Sequence, residues 1–228
     1  MHRRHAAFAT VLLLSSRLVP AQPVHLTGNS PALVDAAARG QWGKVLVLLD
    51  AGAPIESRAD TARSRNATPV LAATQGNHVD VVRLLIARGA NVNAQDEQRD
   101  SAFLLASASG YTDIVQATLA AGADLASTNR FGGTALIPAC HYGHVETVRL
   151  LLTTGIAVDH VNDLGWTALL ETIILGDGGL AHAEIVRMLI AAKADVNLGE
   201  SKGVTPLQHA LARKQVRVAE LLRAAGAR

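Results

Sequence analysis

Apolar and polar positions recur along this chain in a unit of about 33 residues. Thr68, Ser101, Thr134 and Thr167 stand 33 residues apart, and each opens an apolar segment, a glycine or asparagine, and a second apolar segment. Within both segments the apolar residues follow the three- and four-residue spacing of a helix face. A unit this short cannot bury its apolar face alone, so copies must stack on one another. The pattern therefore predicts an all-α solenoid of helix-turn-helix units and not a globule around one central core.

Local signals mark where the first helix of each unit begins and ends. The opening threonine or serine is suited to cap the helix by accepting a hydrogen bond from a backbone N–H group. Proline follows at Pro69 and Pro206, where no N–H donor is needed. Gly110 ends one such helix at a position that favours the left-handed conformation. Asn77 and Lys214 hold the same position in other copies, and we expect some strain at Lys214.

Three consecutive copies show the repeat in full. They read TPVLAATQGNHVDVVRLLIARGANVN from residue 68, SAFLLASASGYTDIVQATLAAGADL from residue 101 and TALIPACHYGHVETVRLLLTTG from residue 134. These segments resemble the ankyrin repeat, which opens with Thr-Pro-Leu-His-x-Ala and continues with Gly-His, a Val-Val-x-Leu-Leu helix and Gly-Ala-Asp-Val-Asn. The resemblance extends from about Ser30 to the C-terminus, and it implies about six helix-turn-helix repeats joined by short hairpin-like loops.

The resemblance divides residues 22–228, as a single domain, into repeats of approximately 29–58, 63–95, 96–128, 129–161, 162–199 and 200–228. Four extra residues near 60–66 and five near 176–181 lengthen two loops, where added length costs little. The histidine of the family's opening motif is replaced here by Leu71, Leu104, Ile137, Leu170 and Gln208. We therefore expect the repeats to be held together mainly by apolar packing.

Residues 1–21 form a separate unit with the features of a secretory signal peptide. A basic start at residues 2–5 precedes a short apolar run over residues 6–14, and Ala21 offers a small residue before a cut at Ala21/Gln22. The apolar run is too short to span a bilayer. We expect a mature protein without a membrane anchor, periplasmic or secreted, which resembles small secreted or periplasmic bacterial ankyrin repeat proteins.

Charge and cysteine content narrow the classes of partner. The chain has 21 basic and 19 acidic residues, but Arg3, Arg4 and Arg17 lie in the predicted leader. Once the leader is removed the basic excess disappears, so nucleic acid is not expected as a partner. The only cysteine, Cys140, cannot form an internal disulfide, and we expect a monomer whose stability comes from packing.

The sequence indicates no catalytic, cofactor or metal site. Cys140 and His144 are four residues apart, but Gly143 breaks the helix between them, so we assign no metal there. The glycine-rich segment 175–182 follows no strand and lacks the Lys-Ser/Thr ending of a phosphate-binding loop. Because a stack of short helices offers an open groove and not a water-excluding pocket, we expect a protein that is not an enzyme and holds no cofactor.

In the ankyrin family, hairpin tips and the outer edge of each first helix form a concave surface that binds proteins. At these positions the fourth and fifth repeats carry Phe131, Tyr142 and Trp166, and aromatic and arginine side chains dominate binding energy at interfaces. The predicted protein-binding residues are Arg130, Phe131, His141, Tyr142, Leu164, Trp166, Ile174 and Leu175. An alternative is that Trp166 folds back on its own hairpin and Tyr142 packs on the next repeat, which would make both structural.

The predicted function is a non-catalytic protein-protein interaction module, a periplasmic adaptor that stabilises or inhibits one protein partner. Two alternatives stand beside it. The first is a module that binds a small molecule or cation at the fifth-repeat insertion, with His141 and His182 at a shallow site. The second is an exported effector that binds host proteins.

Overall fold

The computed structural model describes residues 30–228, and this part of the chain forms twelve α-helices in six consecutive pairs. The helices are α1 Ser30–Ala38, α2 Trp42–Asp50, α3 Pro69–Gln75, α4 Val79–Ala87, α5 Ala102–Ser109, α6 Thr112–Ala120, α7 Leu136–His141, α8 Val145–Leu151, α9 Ala168–Ile174, α10 Leu180–Ala191, α11 Pro206–Ala212 and α12 Val216–Ala224. The predicted signal peptide, residues 1–21, lies outside the described residues.

The two helices of each pair belong to different layers of a solenoid. The first helices contact one another in the order α1, α3, α5, α7, α9, α11, and the second helices do so in the order α2, α4, α6, α8, α10, α12. One apolar core therefore runs continuously along the stack. Between residues 30 and 228 the only strand-like pairing is an isolated bridge from Ala59 to Ala67. The predicted all-α solenoid is confirmed.

Aliphatic side chains, alanine and one aromatic ring fill the core. Phe103, predicted to be a core residue, is fully buried between the two layers. Trp42 at the first residue of α2 is less than half exposed, at 43%. Among the helices of residues 30–228, none is long and apolar enough to cross a lipid bilayer.

The opening threonine or serine caps the first helix in most repeats. Its side-chain oxygen accepts a hydrogen bond from the backbone N–H three residues later at Thr68, Ser101, Thr167 and Thr205. Thr134 is the exception, because α7 begins two residues after it and its buried hydroxyl has no hydrogen-bond partner. Pro138 has no N–H to donate to the Thr134 carbonyl, so the Ile137 N–H bonds it at 3.2 Å and tightens the first turn.

A left-handed residue turns the chain between the two helices of each repeat. Gly110 has φ +71°, and Asn77 and Lys214 adopt the same conformation with φ +55° and +58°. Lys214 thus holds the strained conformation that the sequence predicts. At Gly110 an added Cβ would also lie 2.5 Å from Nδ1 of His144 in the next repeat, so glycine is required there twice over.

Polar side chains also join neighbouring repeats. In four repeats a side chain at the start of the second helix donates from Nε2 to a backbone carbonyl near the end of the previous repeat's first helix, at 2.9 to 3.1 Å; it is the residue before the helix in three of them and the third residue of α10 in the fifth repeat. These residues are His78, His144, His182 and Gln215. Since a carbonyl can only accept, each of these histidines carries a proton on Nε2. Although the opening-motif histidine is replaced, these hydrogen bonds link neighbouring repeats in addition to the apolar packing.

Candidate functional site

A cavity of about 420 Å³ is formed by residues of the third to fifth repeats. It lies between helices α5, α7 and α9 and the loops that precede them. Its wall consists of Asp100, Ala108, Asn129, Arg130, Phe131, Gly133, Ile137, Pro138, His141, Tyr142, Asn162, Leu164, Glu171 and Leu175. Six of the eight predicted protein-binding residues therefore share one cavity: Arg130, Phe131, His141, Tyr142, Leu164 and Leu175.

Asparagine side chains hold the two hairpin tips that form the upper wall. Asn129 Oδ1 accepts hydrogen bonds from two backbone N–H groups of its own tip, including that of Phe131 at 2.9 Å. Asn162 Oδ1 does the same in the next tip, where it accepts from the Leu164 N–H at 3.0 Å. The Asp163 N–H donates to the Phe131 carbonyl at 3.0 Å and ties the two tips together. Phe131 and Leu164 are therefore presented from a fixed backbone.

Four large apolar side chains around the cavity remain in contact with solvent. Phe131 and Leu164 are each 50% exposed, Tyr142 is 60% exposed and Leu175 is 45% exposed. The Tyr142 ring stacks on the His141 ring with centroids 4.2 Å apart, and its centroid lies 6.1 Å from that of the His144 ring. Exposed apolar side chains gathered in one patch cost solubility and are typical of binding surfaces.

Arg130 supplies the positive charge at the rim. Its guanidinium lies 4.7 Å above the centroid of the Phe131 ring, and its Nη1 donates to Gln98 Oε1 at 2.6 Å. The same Nη1 is 4.0 Å from Asp100 Oδ2. These contacts hold the arginine against the hairpin tip, on the side of the cavity formed by the third and fourth repeats.

Glu171 contributes a carboxyl group to the wall of the fifth repeat. The residue is only 8% exposed, and its one hydrogen-bonding side-chain partner is Asn162, whose Nδ2 lies 3.4 Å from Oε1. Burial raises the pKa of Glu171 to about 7, and the Asn162 hydrogen bond opposes that shift. At neutral pH the cavity therefore contains a carboxyl group close to its titration midpoint.

Asp100 and His141 complete the ionisable groups of the wall. Burial raises the pKa of Asp100 to about 6, the nearby Asp96 carboxylate raises it further, and Arg130 opposes both. Burial lowers the pKa of His141, and His182 lowers it further, so this imidazole is neutral at pH 7. Arg130 is the only lysine or arginine in the wall, and it lies near Asp100. The wall therefore holds no positive charge beside the Glu171 carboxyl group.

Two of the predicted residues stand apart from the cavity. Ile174 is 8% exposed and is not one of the residues that line the cavity. Its assignment to the binding surface is corrected here. Trp166 is half-buried and also lies outside the lining. Tyr142, in contrast, does not pack away from solvent.

The sequence reasoning passed over Asp100, Asn162 and Glu171. The signal that distinguishes Glu171 is its place in the repeat, since it holds the position before the last residue of the opening motif. In the second, third and fourth repeats that position is occupied by Ala72, Leu105 and Pro138. The first and sixth repeats carry the polar residues Asp35 and His209 there. The departure that a repeat-by-repeat comparison could have detected is therefore a carboxyl group that follows three apolar copies of the position.

The fifth-repeat insertion does not form a cation site in this structure. His182 Nδ1 is 2.7 Å from Asp177 Oδ1, and its Nε2 is 2.9 Å from the His141 carbonyl, so both ring nitrogens are already engaged. Across residues 30–228, no three His, Cys, Asp or Glu side chains come together as metal ligands. Cys140 is fully buried, and burial raises the pKa of its thiol, which keeps it protonated.

Comparison with known families identifies the repeat. The family model described as "Ankyrin repeats (3 copies)" matches residues 33–129 and 103–198, which together make up more than half of the chain. The chain belongs to the ankyrin repeat family. Ankyrin repeats are generally protein-protein interaction modules, and their fold is typically a non-catalytic binding scaffold.

Solved ankyrin repeat structures are similar along most of this chain. An ankyrin repeat domain from Acinetobacter baumannii AYE is 47% identical with a TM-score of 0.82, and the match covers 86% of this chain and 98% of that one. A second crystal structure of an ankyrin repeat protein is 33% identical with a TM-score of 0.79, covering 85% of this chain and 97% of that one. Both similarities extend beyond the three repeats that form the cavity.

The curated relatives are much longer proteins. The Drosophila melanogaster ankyrin repeat and KH domain-containing protein mask is 36% identical over 83 residues, which is 36% of this chain and 2% of that protein. The Homo sapiens ankyrin repeat and KH domain-containing protein 1 is also 36% identical over 83 residues, which is 3% of its length. This ankyrin repeat chain therefore matches only a small part of either relative.

Proposed function

We propose that this ankyrin repeat chain is a non-catalytic adaptor that binds one protein partner through the concave cavity of its third to fifth repeats, and that it stabilises or inhibits that partner. The observation that supports the proposal is the cluster of Phe131, Tyr142, Leu164 and Leu175, each 45 to 60% exposed around one cavity. Each is held by a helix or a hydrogen-bonded tip, so little conformational entropy is lost when a partner binds.

Affinity capture from an extract of the source organism tests this function. The bait is the wild-type chain, and the test variant is the double substitution Phe131→Ala and Leu164→Ala. The matched control is Val47→Ala with Leu180→Ala, because these side chains are 67% and 73% exposed but lie outside the cavity. We expect the wild type and the control to capture the same protein and the test variant to lose it. Equal capture by all three chains would refute the assignment of this surface.

The capture experiment has a quantitative counterpart. Loss of one exposed aromatic anchor should weaken binding of the purified partner by roughly 1 to 3 kcal/mol. The far-UV circular dichroism and the melting temperature should stay almost unchanged, because Phe131 is half exposed and makes few core contacts. A large fall in the melting temperature instead would mean that the residue serves the fold and not the partner.

We also propose that the protein works in the periplasm or outside the cell. The support is the sequence of residues 1–21, with its basic start, short apolar run and small residues before Gln22. Cell fractionation followed by intact-mass measurement tests it, and the expected product begins at Gln22 in the periplasmic fraction. A cytosolic protein that retains residues 1–21 would refute this proposal, and processed protein found in the medium or in a host would favour the exported effector.

A further inference from the structure

Glu171 is a buried carboxyl group whose charge has no cation beside it. The side chain is 8% exposed on the cavity wall, and the Asn162 amide at 3.4 Å is a weak donor. Among residues 30–228, no lysine, arginine or histidine nitrogen lies within 4.0 Å of its carboxyl oxygens. A carboxylate removed from water is costly unless it is paired, so this group is poorly satisfied in the free protein.

The fold does not require a carboxyl group at this position. The equivalent residues of the second, third and fourth repeats are Ala72, Leu105 and Pro138, and these repeats form the same helix pairs. The one structural contact of the Glu171 carboxyl group is the long hydrogen bond from Asn162, so we expect its burial to cost the free protein stability. Residues that cost stability and line a cavity are candidates for binding.

The rest of the wall favours one kind of cation. Asp100 adds a second carboxyl group on the opposite side, and Arg130, the one cation of the wall, is turned toward Asp100 and Gln98. The exposed rings of Phe131 and Tyr142 provide flat apolar surface. A guanidinium suits this combination better than an ammonium, because it is planar, stacks on aromatic rings and can bond both oxygens of one carboxylate.

We propose that the protein partner inserts an arginine side chain into this cavity, where the guanidinium pairs with Glu171 and the stem packs against the aromatic and leucine side chains of the rim. This inference rests on the proposed function, because it names the chemistry of the partner segment that the same surface binds. The partner's charge supplies what the free cavity lacks, a cation for a buried carboxylate.

Titration of the purified chain with short peptides tests the arginine directly. The probes are acetyl-Ala-Arg-Ala-amide and the same peptide with citrulline, which keeps the shape and removes the charge. Amide chemical shifts near Tyr142, Leu164 and Leu175 are expected to move with the arginine peptide, with at least about fivefold weaker binding of the citrulline peptide. The variant Glu171→Gln should lose the same factor, whereas Glu146→Gln, an exposed carboxylate on α8, should lose nothing.

Three results would overturn the inference. They are equal binding of the arginine and citrulline peptides, unchanged binding to Glu171→Gln, and no shift of the cavity amides up to the solubility limit of the peptide. Tighter binding of butylguanidinium, which has the guanidinium and an alkyl stem but neither a peptide backbone nor a second charge, would also overturn it, because the ligand would then be a free small cation.

The partner captured with the wild-type bait separates this inference from the proposed function. If Phe131→Ala with Leu164→Ala loses the partner and Glu171→Gln retains it, the adaptor function stands and the arginine contact is wrong. If Glu171→Gln also loses the partner while it remains folded, the arginine contact is supported. Failure of both variants to change capture refutes the surface itself.

Discussion

Replacing Glu171 with glutamine should make the free protein more stable, by an amount that depends on pH. The substitution keeps the size of the side chain and leaves an amide that can still face Asn162, but it removes the ionisable group. Burial raises the pKa of Glu171 from its ordinary value of 4.5 to about 7. In the unfolded chain that burial is lost, so the pKa returns to its ordinary value.

The sign of the effect follows from these two pKa values. Below about pH 4.5 the carboxyl group is protonated in both states, and its titration does not affect stability. Between pH 4.5 and 7 the unfolded chain has already lost the proton that the folded chain still holds, so the free energy of unfolding falls as pH rises. Above pH 7 the folded protein bears the whole cost of a buried carboxylate. Glutamine carries no such cost at any pH.

The magnitude can be bounded from the same values. The difference between the folded and unfolded pKa of Glu171 corresponds to about 3 kcal/mol at most. Because the cavity opens to solvent, water screens part of this cost, and we expect about 1 to 2 kcal/mol at pH 8. The advantage of Glu171→Gln over the wild type should shrink toward zero as the pH approaches 4.5.

Urea unfolding followed by far-UV circular dichroism measures this difference at about pH 5 and about pH 8. The matched control is Glu184→Gln, since Glu184 is hydrogen-bonded to Arg187 and its pKa is lowered by that contact. Loss of this carboxylate should not stabilise the protein at either pH. A stability gain of Glu171→Gln that is the same at both pH values would refute the reasoning, because it would arise from packing and not from titration.

Three further predictions concern the fold and can be checked by thermal melting. Gly110→Ala should destabilise the protein by about 2 to 4 kcal/mol, because it combines left-handed backbone strain with a clash against His144. Gly122 is also left-handed but has open space around it, so Gly122→Ala should cost only about 1 kcal/mol, and equal losses would contradict the clash. Gly43→Ala should raise stability by about 0.5 kcal/mol, since Gly43 lies in helix α2 with no atom within 4 Å of the added Cβ, and a fall would mean that α2 is not helical there. Gln215→Leu should cost about 1 to 3 kcal/mol of stability, because it removes two hydrogen bonds to backbone carbonyls of the fifth repeat, at 3.0 and 3.2 Å, and leaves these acceptors without a donor. An unchanged melting temperature would argue against this contribution of Gln215 to the packing of the last two repeats.

The fold could be predicted from the sequence because the same signals for helix start, turn and apolar face recur in each repeat. The left-handed turn at Lys214, for example, contradicts the usual preference of lysine, and it was predicted only because Gly110 and Asn77 hold the same position in other copies. The missing cap at Thr134 was not predicted, although its cause, Pro138, is visible in the sequence. A threonine at this position predicts a cap. The cap is lost at Thr134 because Pro138 cannot donate to the Thr134 carbonyl, which changes the geometry of the first turn.

The candidate site was predicted less completely, for a different physical reason. Hairpin-tip and helix-edge positions can be counted from the repeat, and this places Phe131 and Tyr142 correctly on the exposed rim. Counting positions in the repeat cannot tell whether a residue near the edge of a helix is exposed or buried. Ile174 was therefore assigned to the binding surface although it is buried. Counting also cannot tell how a large ring settles, and Trp166 lies outside the cavity lining.

Glu171 shows how repeats can reveal function when residue types alone do not. A single glutamate in an apolar helix would ordinarily be taken for a solvated side chain, but Ala72, Leu105 and Pro138 hold its position in the second, third and fourth repeats, which form the same helix pairs. The first repeat does have a carboxylate there, Asp35, but that side chain is exposed and pairs with Arg39. The repeats thus act as internal controls for what the fold needs. If Glu171→Gln proves more stable above pH 7 and also loses binding of the arginine peptide, the same carboxyl group will have been shown to lower stability and to support binding. Such an opposition is expected of a residue kept for a partner, because a group that serves only the fold has no reason to weaken it.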